Sequence, residues 1–119
     1  MFDLKEYLER VKAEVTNPIL EYMQEAEIDD FTADDVARCG ALLVEYLTAL
    51  SELREPEDAE IMAQVEKVVL ALNDLNEELD YALIETVERE AIWTMIQTAA
   101  VDCGLRDVPE DVTEEWREW

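Results

Sequence analysis

The chain has 119 residues and sets 9 Lys and Arg against 32 Asp and Glu, a formal net charge of −23. Half of its residues are hydrophobic, too many for a disordered acidic tail, which lacks the apolar surface needed to offset ordering entropy. There is no histidine, one serine (Ser51) and only two glycines (Gly40 and Gly104), which excludes nucleophile triads, His-bearing zinc or di-iron sites, phosphate-cradling loops and turn-rich β folds.

Asp3 and Glu6 have the spacing of a capping box, and Leu4, Leu8, Val11 and Val15 behind them share one helical face. Asn17-Pro18 then predicts a kink, or a break with Asn17 capping a fresh helix that turns Ile19, Leu20, Met23 and Ala26 inward. Thr32, with Asp34 and Asp35 behind it and Phe31 stapled onto Val36, starts the next helix. It is expected to run to about Leu53 with Val36, Cys39, Leu43, Leu47 and Leu50 facing in. Pro56 breaks the chain and Asp58 is the expected cap of a helix whose Ile61, Val65, Val68, Leu72, Leu75 and Leu79 form a heptad seam. A connector over residues 80–85, with Tyr81, Leu83 and Ile84, is expected to pack down. Thr86 is the expected cap of the last long helix, which Cys103-Gly104-Leu105 ends in Schellman fashion. The expected architecture is all-α: a compact bundle of about five helices forming a single domain over residues 1–119, with a short C-terminal tail.

Carboxylates are unevenly spread, with 13 in residues 1–54, 12 in 55–90, 6 in 107–119 and Asp102 alone in 91–106. Residues 91–101 are therefore apolar or neutral all round, and residues 39–51 carry only Glu45. Such helices are buried on most sides, and together they carry more neutral surface than a monomer of this size readily hides, which predicts a two-fold homodimer. Gly40 inside a helix, with Ala37 and Ala41 beside it, predicts close approach of a second helix.

Cys39 and Cys103 form no CxxC and read as buried thiols. The opening residues have neither the cationic nor the apolar stretch of a secretion signal, and no stretch is long and apolar enough for a bilayer, so a cytoplasmic protein with reduced thiols is expected. The scattered cations, Lys5, Lys12, Lys67 and the arginines, predict no direct nucleic-acid or anionic-membrane binding.

Carboxylates are the only abundant reactive group. Asp29, Asp30, Asp34 and Asp35 have the density of a calcium loop without its alternating spacing or mid-loop glycine. Glu85 and Glu88 are spaced as ExxE, and Glu77 and Asp80 as ExxD. These pairs resemble those with which all-α nucleotide pyrophosphohydrolases hold Mg²⁺, but in inverted order, almost adjacent, and without a basic cluster for a triphosphate. A carboxylate–Mg²⁺ hydrolase is thus the runner-up among functions, and no catalytic, cofactor or metal residue is assigned. The polar cluster at the junction of the last two long helices supplies the candidate interaction residues Asn76, Asp80, Glu85, Glu88 and Arg89. Trp93, Trp116 and Trp119 extend it, because Trp is enriched at interface hot spots. The expected function is non-catalytic protein–protein association: self-association, and contact with a basic partner in the manner of immunity proteins, antitoxins or DNA mimics. Competing with it are a merely solvated acidic surface and divalent-cation binding.

Overall fold

The structure, a computed structural model, describes residues 2–119, and among them only helices and turns occur. The order is α1 (Leu4–Arg10), a π-helical stretch (Val11–Thr16), α2 (Asn17–Glu25), α3 (Ala33–Glu52), α4 (Asp58–Glu78) and α5 (Thr86–Cys103). One hydrophobic cluster joins all of them, and the radius of gyration is 14.0 Å. That matches the roughly 13–14 Å expected of a compact domain this long.

The N-terminal rod, α1 through α2, is continuous. Asp3 accepts from the Glu6 amide at 3.2 Å, so one half of the expected box forms. At Asn17-Pro18 the interruption takes the form of a widened turn. Asn17 is itself helical (φ −63°, ψ −45°) and caps nothing; its N–H reaches the Lys12 carbonyl, five residues back. Proline lacks an N–H and its ring presses on the carbonyl four residues earlier, and a π turn lets the chain move that carbonyl aside without ending the helix. Val11, Val15 and Ile19 face the core as expected, whereas Ala26 is exposed and the unanticipated Tyr7 is buried.

Thr32 and Asp35 close a reciprocal capping box at the start of α3. The inward residues expected of α3 are all buried, and so are those of the α4 seam except the half-buried Leu79. Asp58 is not the cap of α4: Glu57 takes that position, and the Asp58 carboxylate accepts the Arg106 and Asp107 amides at 2.9 and 3.0 Å, tying the end of α5 to the start of α4. Gly104, at φ +118°, ends α5; Leu105 donates back to the Ala100 carbonyl and is buried.

A Cβ on Gly40 would lie 2.8 Å from the Thr16 methyl, so the predicted close approach is that of α3 to the π-helical stretch. Ala37 and Ala41 stay exposed and take no part in it. The neutral stretches of α3 and α5 meet each other inside one chain. Leu43 and Leu47 are buried with Ile92 and Ile96, and the Tyr46 hydroxyl donates to the Ile96 carbonyl at 2.7 Å. Of their large apolar residues, Val44 and Val101 remain exposed, at 36% and 43%. Within one chain these two stretches thus cover most of their large apolar side chains. Cys39 and Cys103 are free thiols. No helix among the described residues is long and apolar enough to cross a membrane.

Candidate functional site

The junction singled out in the sequence starts where α4 ends. Asp80 and Tyr81 are both left-handed (φ 54° and 62°), which reverses the chain without a glycine. Tyr81 donates to the Asn76 carbonyl at 2.7 Å, and the buried Asn76 side chain accepts the Ile84 amide at 3.0 Å. Leu83 and Ile84 are buried as expected, while Tyr81 stays 56% exposed. Asn76 is thus a clamp for the connector. Thr86 is not the cap of α5: the helix begins with it, and Glu85 precedes it in the extended conformation.

From this clamp the chain runs along one wall of a groove of about 330 Å³. The α5 wall is Glu85, Thr86, Val87, Glu88 and Ala91; the rod contributes Glu14, Val15, Pro18, Ile19 and Tyr22. Val15 and Ile19 form a buried floor, and Tyr22 and Val87 stand at the mouth, 47% and 78% exposed. A smaller neighbouring cleft of about 60 Å³ shares Ile19, Tyr22, Glu85 and Glu88, and adds Asp30 and Phe31. Glu88 belongs to both. Burial pushes its carboxyl above the ordinary value, and the charge of Glu85 adds to the effect. Glu14 pairs with Arg10 at 2.8 Å, on the same rod. No cation lines either space, and Arg89 forms no salt bridge among the described residues.

The other candidate residues lie elsewhere. Asp80 is exposed in the turn, and Arg89 and Trp93 are half-buried on α5. Trp116 and Trp119 belong to the tail, which Asn73 of α4 clasps: its amide donates to the Trp116 carbonyl at 2.8 Å and its oxygen accepts the Glu118 N–H at 3.0 Å. The Arg117 guanidinium lies 5.4 Å over the Trp119 ring and 3.2 Å from Asp111. Only Glu85 and Glu88 of the candidate set share one space. Glu14, Pro18, Ile19, Tyr22 and Val87 escape sequence reasoning as groove residues, because a single apolar residue such as Val87 among carboxylates is ordinary on a surface.

Among the described residues no group of three carboxylates or thiols is placed to hold a metal ion, so Glu77 and Asp80 do not join Glu85 and Glu88 around one centre. Glu85 and Glu88 over an apolar floor, without a cation to neutralise them, suit an ammonium or guanidinium group carried on an apolar body. No family model matches the chain, and neither curated proteins nor solved structures include a significant match.

Proposed function

We propose that this protein acts by non-catalytic protein–protein association, holding a cationic partner at the groove between the rod and α5. One observation carries the reading: the groove joins a buried apolar floor and two exposed apolar lips to Glu85 and Glu88, with no cation among its lining residues. The net charge of −23 draws a cationic partner in, and the apolar floor supplies the contact area that outlasts screening. Self-association through the groove would set two carboxylate rims against each other, so a cationic partner is the favoured occupant over a second copy. The free thiols fit a reducing compartment, and we place the association in the cytoplasm.

Affinity capture from the source cell on the immobilised protein, run beside a Glu85→Gln/Glu88→Gln variant, tests this. Cationic proteins retained by the parent and released by the double variant are the expected result. Equal retention on both, or a captured set consisting only of the protein itself, would overturn it.

A further inference from the structure

The helical walls of the groove restrict what form the partner can take. On the rod the lining positions 14, 15, 18, 19 and 22 fall on one face over two turns, about 12 Å of rise; on α5, positions 87, 88 and 91 do the same over one turn. The rod packs against α5 along Val11–Thr16, and beyond that stretch the two draw apart, which opens the space over Ile19. Both walls are helices, paired internally except at Pro18, which has no N–H, and at the first turn of α5, where the Thr86, Val87 and Glu88 amides have no intrahelical partner. An extended peptide would find no strand edge here and would leave its own N–H and C=O groups unpaired over Val15 and Ile19. A helix satisfies its backbone internally, and its residues at i and i+4 rise about 6 Å, matching the 15-to-19 and 87-to-91 steps of the walls.

Charge fixes the rest. Glu85 and Glu88 lie on either side of Val87 in sequence, at the most exposed apolar residue of the groove. Glu88 lines the same spaces as Glu14 and Tyr22 of the rod, Asp30 of the α2–α3 loop and Glu85 of its own approach, with no cation among the lining residues. We infer that the groove receives one amphipathic helix of a cationic partner, an apolar anchor resting between Ile19 and Val87 and a Lys or Arg one turn away meeting Glu88. This rests on the cationic-partner reading above, and the experiment is chosen so that the two can fail separately.

The probe is a 14-residue peptide of leucine and lysine at helical spacing, compared with its isomer of strictly alternating leucine and lysine. Binding is followed by fluorescence anisotropy in 0.15 and 0.5 M NaCl. The helical peptide should bind at least roughly tenfold tighter than the isomer of equal charge and keep most of that margin in high salt. Val87→Arg should weaken it about tenfold or more and Glu88→Gln severalfold, while Leu70→Arg, at an exposed apolar site on α4, should leave it unchanged; melting curves confirm that each variant folds. Amide shifts on titration should centre on Tyr22, Val87 and Ala91. Equal binding of the two isomers overturns the helix-in-groove inference and leaves the cationic-partner reading standing; equal binding of the parent and Val87→Arg overturns both, because the contact is then not at the groove. Absence of binding by either peptide even in 0.02 M NaCl overturns both.

Discussion

The α3–α4 seam and the groove between the rod and α5 are both formed by neighbouring helices, yet charge is arranged in them in opposite ways. Across the seam Arg38 reaches Glu78 at 2.7 Å, with Asp35 of its own helix 3.4 Å away, and Lys67 reaches Glu45 at 3.4 Å. In the groove no cation answers Glu85 and Glu88, and Val87 and Tyr22 stand open at the mouth. Both regions belong to a chain with only 9 cations, and none of them lines the groove, where Glu14 is paired with Arg10 of the same rod while Glu85 and Glu88 form no salt bridge among the described residues. The seam is closed by partners within the chain; in the groove Glu85 and Glu88 have none among the described residues.

Each groove wall has an internal contact that a single substitution can break, and breaking these should have the largest effects. Asn76→Ala removes the acceptor of the buried Ile84 amide, which costs about 1–3 kcal/mol because the N–H is left without a partner. The connector should loosen and the α5 wall with it. Hydrogen exchange at Ile84 should accelerate far more than at Val69 of α4; if Ile84 stays protected, Asn76 is not the clamp and the groove wall has another support.

The rod wall depends on Gly40. Gly40→Ala gains about 1 kcal/mol of helix propensity but drives a methyl against Thr16 at 2.8 Å, an overpacking worth roughly 1–3 kcal/mol. A net loss of about 1 kcal/mol is expected by chemical denaturation. Adding Thr16→Ser removes the opposing methyl and should turn the substitution neutral or stabilising. A double-mutant cycle without coupling would mean that the rod is not seated on α3 through this contact, and that the groove lacks a rigid second wall.

How much of this is legible in the sequence depends on how far apart the partners are. The α4 seam, the Thr32 box and the Gly104 stop are readable because each is decided within a turn or two of helix. Asp58 and Thr86 look like caps for the same local reason, but Asp58 is drawn away by the Arg106 and Asp107 amides and Thr86 begins one position too late. Pro18 reads as a breaker because nothing local announces that a π turn will accommodate it. Asp102, conspicuous as a lone carboxylate, receives the hydroxyl of Tyr7 and pins the rod to the end of α5, a pairing 95 positions apart. The groove is illegible for the same reason: it is a gap between two helices distant in sequence, and nothing local in either announces it.

Acidification should separate the two regions. Glu88 has its carboxyl raised by burial and by Glu85, so its ionised form opposes folding. Its contribution is lost as pH rises through the raised value, and stability is therefore gained on descending from neutral pH toward its ordinary 4.5. Glu78 and Asp35 of the seam, and Asp58 at the start of α4, are shifted the other way, by Arg38, by the Thr32 amide and by the Arg106 amide respectively. Their contribution is present above the ordinary 4.5 and 3.8 and is lost as pH falls through the lowered values. Melting temperature should peak in mild acid. Relief of general self-repulsion also favours that peak, so the discriminating measurement is the difference between the parent and Glu88→Gln, which should shrink as pH falls from 7 to 4.5.

The smallest effect belongs to the seam itself. Arg38→Ala removes the cation shared by Glu78 and Asp35, but all three side chains are in contact with water, where exposed pairs contribute little and salt screens them. Melting should fall slightly at low ionic strength and match the parent in 0.5 M NaCl, and the helical leucine–lysine peptide should bind the variant as it binds the parent. Stronger peptide binding to Arg38→Ala, centred on α3 and α4 by amide shifts, would mean that baring Asp35 and Glu78 is enough to make a docking surface. The apolar floor and lips of the groove would then not be what distinguishes it, because the seam would acquire the same property by losing one guanidinium.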